Sequence, residues 1–295
     1  MKPIINYQHF TLPVIFAALL MGCAGKKSSS SSSEQFFSSW SATVPTKITN
    51  FTTGNATRVL ANGTIQQTYS DVTAVTSFDV SRNLTAVTLR QSGLNAISFS
   101  ISNGDTIVKD TTGNNFVLTN SRSTSIGIIS NPFSYGFEYQ TYGSWGNWGN
   151  VGAGSNAVSI GSFTPVNNVP VIGNATFQGG ANGYYVANGL SYIASASMTA
   201  NADFASRTIT FTTADTKLVG NVSGTILNAS SLNLSGSIAY GPNSNLLTGS
   251  VTSASGLSGS IVGNFYGPNA NEIGGTFGLN KSSGETFVGG FGGKR

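Results

Sequence analysis

Residues 263–277 read Gly263-Asn264-Phe265-Tyr266-Gly267-Pro268-Asn269-Ala270-Asn271-Glu272-Ile273-Gly274-Gly275-Thr276-Phe277. This stretch predicts a strand, a tight turn and a second strand. Gly267-Pro268 ends the first strand, because proline fixes φ and has no N–H to donate to a sheet. Gly274-Gly275 lets the second strand bend or approach another strand closely. Glu272 can accept hydrogen bonds from backbone or hydroxyl donors at that corner. The stretch therefore predicts architecture rather than a ligand site.

Similar strand-like runs, separated by Gly or Asn, flank this stretch. Only 8% of the residues are charged, so the side chains that solvent-exposed helices use are scarce, and no helix-length pattern occurs. Regular short runs of this kind indicate an all-β sandwich or closed barrel. The runs are Ile172 to Phe177, Tyr192 to Thr199, Arg207 to Thr212, Leu218 to Val222, Leu232 to Ala239, Gly259 to Phe265, Glu272 to Phe277 and Glu285 to Phe291.

The region before these runs, residues 36–132, has a sequence pattern that predicts a separate antiparallel sheet. Leu84 to Leu89 and Ala96 to Ile101 carry apolar residues two apart, as a half-buried strand requires. Thr64 to Tyr69 and Val75 to Val80 do so less regularly. Two dipeptides suit tight hairpin turns, namely Asn62-Gly63 and Asn103-Gly104.

An aromatic run opens the second region, residues 133–295. Alternate positions are aromatic at first, and the run then continues into glycines, through Phe133, Tyr135, Phe137, Tyr139, Tyr142, Trp145 and Trp148. Large rings fill small barrels, so we expect a barrel strand here whose rings point inward. The alternative is an aromatic recognition patch.

The stretch 263–277 closely resembles the G-x-F-Y-G-P-x-A-x-E-[VIL]-[GA]-G-x-F signature of the barrel domain of transferrin-binding protein B, shared by related surface lipoproteins and hemophilin-like haem-binding proteins. Three shorter segments are also similar: Tyr139 to Trp145, which is like the first barrel strand, Ala202-Asp203-Phe204 before Ile209, and the closing strand Phe287 to Gly292. The resemblance covers about residues 135–295.

The resemblance implies a β-rich handle at residues 36–132, followed by an eight-stranded antiparallel β-barrel at residues 133–295. It also implies that exposed loops, chiefly on the handle side, bind a host protein of the iron-carrier type. Transferrin-binding protein B has two such lobes and this chain has one, so transferrin itself does not carry over. Loops vary independently of the fold that carries them, and the sequence therefore names no binding residues.

The N-terminus carries a secretory signal at residues 1–22. Lys2 precedes an apolar run from Phe10 to Met21, which is shorter than the roughly 20 residues of a membrane-spanning helix. The run ends at Leu20-Met21-Gly22-Cys23, which resembles the lipobox of bacterial lipoproteins. Cys23 is the one cysteine of the chain, so lipid attachment accounts for an otherwise unpaired thiol. An ordinary secretory signal with a chance cysteine is the alternative.

Residues 23–35 form a tether. Six serines, Ser28 to Ser33, have nothing apolar to bury and behave as a flexible spacer. Ala24 follows the cysteine where an Asp would signal inner-membrane retention, so the sorting rule of such lipoproteins points to the outer membrane. By the same resemblance, a translocon in the outer membrane carries the protein to the exterior. We expect a monomer.

Residues suited to catalysis are scarce. His9, the one histidine, lies in the signal, so the mature chain has no imidazole for a Ser-His mechanism or for a metal. We therefore expect a protein that is not an enzyme and has no cofactor or metal. Fourteen basic residues stand scattered against ten acidic ones, which argues against nucleic acid as a partner. Two alternatives to protein binding stay open: a haem or small-ligand carrier, with tyrosine or Met198 as axial ligand, and a structural or adhesive coat protein.

Replacing the lipidated residue tests the anchor. A Cys23→Ala variant should leave the membrane fraction and appear in the soluble fraction, because acyl chains supply about 0.8 kcal/mol of membrane binding per buried CH₂. Membrane fractionation and immunoblotting measure this. Unchanged membrane association would contradict the assignment of Cys23.

Overall fold

The computed structural model of the protein describes residues 46–51, 54–60, 62–69, 72–91, 96–147, 154–220 and 225–295. The signal, Cys23, the serine tether and Trp148 lie outside these residues. Within the described ranges, no helix combines the length and the apolar character that a membrane span needs.

Strands make up most of the described chain. The strands before the barrel are β1 (Thr46–Phe51), β2 (Gly54–Val59), β3 (Ile65–Tyr69), β4 (Val72–Asp79), β5 (Leu84–Gln91), β6 (Ile97–Ser100), β7 (Thr106–Lys109), β8 (Asn115–Thr119), β9 (Ser125–Ser130), β10 (Gln140–Asn147) and β11 (Asn156–Gly161). The later strands are β12 (Asn174–Ala187), β13 (Leu190–Asp203), β14 (Thr208–Gly220), β15 (Ile226–Asn228), β16 (Leu234–Ala239), β17 (Leu246–Ser253), β18 (Ser258–Tyr266), β19 (Glu272–Asn280) and β20 (Thr286–Lys294). A short helix, α1 (Pro132–Tyr135), follows β9, and single 3₁₀ turns lie at Ile101–Asn103, Val166–Asn168 and Ser230–Leu232.

Two antiparallel sheets form the handle. The outer sheet has the strand order β1-β4-β5-β6, and the central sheet has the order β3-β2-β11-β10-β9-β8-β7. They share an apolar core, in which the largest fully buried rings are those of Phe78, Phe99 and Phe116. Burial of such side chains contributes about 1.5–3 kcal/mol each, so this core holds the two sheets together.

Eight strands close the barrel. Each pairs with its neighbours in the cycle β12-β13-β14-β16-β17-β18-β19-β20, and β20 returns to β12. The short β15 adds to the end of β14. Rings fill the interior, where Phe177, Phe211, Phe265, Phe277 and Phe291 are all fully buried. The predicted all-β class, with handle sheets followed by an eight-stranded antiparallel barrel, is confirmed.

The side-chain alternation of β14 shows why these sequences form barrel strands. Ile209 and Phe211 point into the core and are buried, whereas Thr208, Thr210 and Thr212 between them are exposed. β-Branched and aromatic residues suit a pleated, half-buried surface. Arg207 to Thr212 and Leu218 to Val222, which the sequence separates, belong to one continuous strand as far as Gly220.

The prediction that Tyr139 to Trp145 is the first barrel strand is wrong. β10 covers most of this stretch, and its two edges pair with β9 and β11 in the central sheet. In the barrel, β12 already has β13 and β20 as neighbours, so no edge is free to accept β10. Alternation predicts a strand but not the sheet that the strand joins.

The aromatic residues from Phe133 to Tyr139 do not form a strand either. Pro132 to Tyr135 form α1, where the Asn131 side chain accepts a hydrogen bond from the Phe133 N–H at 3.3 Å. Gly136 ends the helix in the left-handed conformation, with φ of 68°. The Tyr142 and Trp145 side chains of β10 are buried, but the central sheet holds them outside the barrel interior.

Of the two expected hairpin turns, one is confirmed. Asn62-Gly63 connects β2 to β3, which pair with each other. Asn103-Gly104 lies between β6 and β7, which belong to different sheets. Its Gly104 has φ of 80° and ends a 3₁₀ turn, so the chain uses this dipeptide to pass from one sheet to the other.

Glycines allow the central sheet to lie directly on the barrel wall. The inward positions of β20 include Phe287 and Phe291, whereas the outward positions include Gly290 and Gly292. The ring of Tyr142 covers these two glycines, and a Cβ at Gly292 would lie 2.8 Å from it. Van der Waals contact needs about 3.5–4.0 Å between carbons, so any side chain at this position would force the two layers apart.

We expect a Gly292→Ala substitution to lower the free energy of unfolding by about 1–3 kcal/mol, because overpacking a rigid interface displaces both layers. Gly241→Ala is the matched control, since the nearest atom to a Cβ there is 3.9 Å away. Chemical denaturation of both variants measures the difference. Equal stability of the two variants would contradict the packing argument.

Candidate binding surface and its anchor

The stretch 263–277 joins the barrel to the handle through Glu272, which opens β19. The Glu272 carboxylate is fully buried. It accepts hydrogen bonds from the backbone N–H of Glu138 at 2.6 Å and of Tyr139 at 3.3 Å. These two residues precede β10, so the carboxylate fixes the point where the chain enters the central sheet.

Two further side chains of the same stretch reach the handle. The Tyr266 hydroxyl lies 2.8 Å from the Ser159 hydroxyl of β11. The Asn55 amide of β2 donates to the Asn264 Oδ1 atom at 2.8 Å, and the Asn264 amide donates to the Asn245 carbonyl at 2.8 Å. These polar atoms bond to the handle and the barrel wall, which agrees with the architectural role expected of the stretch.

Burial raises the pKa of Glu272 from its ordinary value of 4.5 to about 8. The two backbone N–H donors and the nearby Lys294 ammonium act in the opposite direction, because they favour the charged carboxylate. Lys294 forms an ion pair with Glu138 at 2.8 Å. Desolvation outweighs these contributions, so the carboxyl is largely protonated below neutral pH.

The turns of the handle use their acidic side chains internally. Asp79 accepts from the backbone N–H of Asn83, Asp105 accepts from those of Ser100 and Ser121, and Asp110 accepts from that of Asn114. Such bonds are the usual way in which Asp stabilises a tight turn. The carboxylates therefore shape these turns while they keep their negative charge, so the turns together carry charges of both signs.

Basic and apolar side chains are left on the outside of the same turns. Arg122 is exposed at the turn between β8 and β9. The Arg82 guanidinium lies 5.4 Å from the centre of the Phe133 ring. Three apolar residues are about half exposed: Val80, Ile101 and Val108. We refer to residues 79–83, 101–105, 109–115 and 120–124 as the handle turns. Their exposed charged residues are basic, whereas their acidic residues are partly buried, and this surface of charged and apolar groups suits contact with another protein.

A cleft of about 230 Å³ separates one of these turns from the barrel. Polar side chains dominate its walls, and Tyr135 of α1 contributes an aromatic ring. The lining residues are Thr112, Asn114, Asn115, Tyr135, Gly179, Ser195, Ala196, Ser197, Asp215 and Lys217. The cleft extends the handle turns toward the barrel.

The sequence predicted one site residue, Cys23, and it lies outside the described residues. The handle turns carry a local signal that could have been recognised, since Asp110-Thr111-Thr112-Gly113-Asn114 is a typical turn sequence. The same applies to Asn120 and its neighbours. No group of three or more His, Cys, Asp or Glu residues that could hold a metal ion occurs in the part of the chain that the structure describes.

The fold places the protein in the all-β class, with a handle of two sheets followed by a closed eight-stranded antiparallel barrel. Residues 169–295 match the family of C-lobe and N-lobe beta barrels of Tf-binding protein B. The matched residues include all the strands of the barrel, so the barrel is similar to that family of lobe barrels. No curated protein matches the sequence.

Solved structures of this family are similar to the chain at low identity. Transferrin-binding protein B of Haemophilus parasuis, a Trp-176-Ala mutant, is 16% identical, with 76% of this chain and 50% of that chain covered and a TM-score of 0.45. Intact Ap-TbpB, with N and C lobes, is 16% identical, with coverage of 82% and 45% and a TM-score of 0.47. The protein of serogroup B Neisseria meningitidis is 12% identical, with coverage of 85% and 76% and a TM-score of 0.43. The chain spans about half the length of the first two.

The raised pKa of Glu272 predicts a pH-dependent stability. Between about pH 4.5 and 8 the folded protein holds a proton that the unfolded chain releases, so the free energy of unfolding falls as pH rises through this window. The loss should be on the order of a few kcal/mol. Denaturant titrations from pH 5 to 9 measure it.

Glu272→Gln should flatten this dependence, because the amide does not titrate in this range. Asp215→Asn, which removes an exposed carboxylate of the barrel, is the matched control and should keep the wild-type slope. A Glu272→Gln profile parallel to that of the wild type would show that another group causes the pH dependence.

Proposed function

We propose that the protein is an outer-membrane lipoprotein, anchored through lipid on Cys23 and facing the exterior, that binds a host protein of the iron-carrier type through its loops. The match of residues 169–295 to the barrels of Tf-binding protein B carries this proposal. Residues 1–22 act as the signal, and residues 23–35 hold the body away from the membrane.

The family supports protein binding rather than catalysis. The similar solved structures are named transferrin binding proteins, and a binding role needs only complementary surfaces, without a catalytic group. One of these structures has N and C lobes, whereas the chain carries one barrel. We therefore propose only the class of partner, a host protein of the iron-carrier type, and do not propose transferrin itself.

The handle turns are the proposed contact surface. Asp79, Asp105 and Asp110 are partly buried and stabilise their own turns, whereas the basic residues of the turns are exposed and more accessible to a partner. Exposed Val80 and Ile101 supply apolar area within the same turns, and Val108 of β7 supplies it directly before one of them. A partner with an acidic patch around an apolar contact is complementary to this arrangement.

The serine tether and the barrel fit transport to the cell exterior. A translocon in the outer membrane would recognise the barrel and carry the protein outward, after which the tether would give the handle turns access to a soluble partner. The protein acts as a monomer in this scheme.

A haem carrier is the second candidate, and burial argues against one of its expected ligands. Met198 of β13 is 2% exposed and packs in the barrel core, in contact range of Gly293. A titration with haemin would give a Soret band if haem binds. Binding of haem in preference to any serum protein would favour this candidate over the proposal, and a coat protein would bind neither.

Capture from host serum is the decisive experiment. Purified mature protein, produced without lipid and immobilised through the thiol of Cys23, should retain one host protein in a stoichiometric amount. Arg122→Glu should weaken that binding by about tenfold or more, because a like charge replaces an attractive one at the contact. Lys281→Glu reverses the charge of an exposed residue in the turn between β19 and β20. It is the matched control and should bind normally.

Two results would contradict the proposal. One is failure to retain any stoichiometric partner from the sera of several hosts. The other is an equal loss of binding in the Arg122→Glu and Lys281→Glu variants, which would place the contact away from the handle turns. Circular dichroism of each variant establishes that the fold is intact.

A further inference from the structure

A pocket of about 200 Å³ opens at one end of the barrel, apart from the handle turns. Three elements meet there: the segment that leads into β12, the turn between β13 and β14, and the turn between β16 and β17. The lining residues are Val166, Asn167, Val169, Pro170, Val171, Arg207, Tyr240, Gly241, Pro242, Asn243 and Ser244. Typical drug-sized ligand pockets measure about 300–1,000 Å³, so this one suits a smaller molecule.

Arg207 is the one charged residue of the lining. It occupies the last position of the turn before β14, with φ of 58°, and its side chain is partly buried. Its backbone carbonyl accepts from the Tyr240 N–H at 3.3 Å. Asp203 of the same turn accepts from the N–H groups of Ala205 and Ser206. No described carboxylate forms an ion pair with the Arg207 guanidinium.

Tyr240 provides a second polar group with no protein partner. The residue is only 9% exposed, and its hydroxyl is buried without a hydrogen bond to any described residue. The ring packs edge-on against Phe265 at 5.5 Å between centroids. A buried hydroxyl without a partner costs about 1–3 kcal/mol. Because this atom has almost no accessible surface, a ligand in the pocket can bond to it only if the Tyr240 side chain shifts, and the new bond would recover that free energy.

Apolar side chains surround the two polar groups. Val169 is buried in the pocket wall, whereas Val171 of the lining is 68% exposed and the residue that follows it, Ile172, is 78% exposed. Val166, in the adjacent 3₁₀ turn, is 41% exposed. β-Branched residues exposed to this extent in one short segment form an apolar rim that a ligand chain can cover.

We propose that this pocket binds a carboxylate carried on a short, branched apolar chain. The Arg207 guanidinium pairs with the carboxylate, which it can hold with two parallel N–H···O bonds. A shift of the Tyr240 side chain toward the pocket lets its hydroxyl donate a third hydrogen bond, and Val166, Val169 and Val171 cover the chain. This activity is independent of the proposed partner protein, since the pocket and the handle turns share no residue.

Such a carboxylate has two sources: a free branched-chain acid, or the C-terminal aliphatic residue of a polypeptide. Isothermal titration of the mature protein with 4-methylpentanoate tests the first, and N-acetyl-alanyl-leucine tests the second. The amides of both compounds are the chemical controls, because they keep the apolar chain and lose the charge. Binding of either acid with at least about tenfold preference over its amide supports the proposal.

Two substitutions separate recognition from folding. Arg207→Asn removes the charge and keeps a residue that tolerates positive φ, so the turn should persist while affinity for the acid falls by about tenfold or more. Tyr240→Phe removes an unpartnered hydroxyl, so stability in denaturant should stay equal or rise while affinity falls by about three- to tenfold. Arg90→Gln, an exposed replacement in β5, is the matched control.

The proposal would be overturned by the absence of binding of both acids. It would equally be overturned if acids and amides bound alike, or if Arg207→Asn and Tyr240→Phe kept wild-type affinity while remaining folded. A protein that binds 4-methylpentanoate but not the peptide identifies the free acid as the source. The reverse result identifies polypeptide ends.

Discussion

The contact between the central sheet and the barrel wall is the constraint on which the rest of the molecule depends. Two outward positions of β20, Gly290 and Gly292, lack side chains, and Tyr142 of β10 occupies the space above them. Glu272 and Asn264 then supply specific polar bonds at the same boundary. Dispersion contacts set the spacing and hydrogen bonds set the register, so the handle turns and the barrel loops keep fixed positions relative to the two layers.

This boundary also explains which parts of the fold could be predicted. Alternating Ile and Phe with Thr in β14 marks a half-buried barrel strand by local chemistry alone. β10 carries a similar signal, yet the partner of each strand is a non-local property, and β10 joins the central sheet. β17 was missed because Leu246 to Ser253 has little apolar alternation. The strand is specified by its neighbours β16 and β18 more than by its own sequence.

The candidate binding residues also divide into those that local sequence predicts and those that depend on non-local packing. The Asp residues of the handle turns have recognisable turn sequences, so their positions were accessible to sequence reasoning. Arg207 and Tyr240 come from two different hairpins, and nothing in either local sequence indicates that they line one pocket. The lack of a hydrogen-bond partner for the Tyr240 hydroxyl becomes apparent only when the positions of all nearby donors and acceptors are known. Sequence can suggest a turn, whereas an unsatisfied atom is a property of the packed structure.

The pairing of β12 with β20 has a consequence for how the protein is made. These strands are separated by about a hundred residues, and closing a loop of that length costs about 4 kcal/mol of chain entropy. A growing chain can form the hairpins from β12 onward, but the barrel closes only after β20 has been synthesised. Until then the open edges of β12 and of the newest strand remain unpaired, and non-local contacts of this kind slow folding. The polypeptide therefore stays loosely assembled until β20 has been added and gains its full rigidity in one late step.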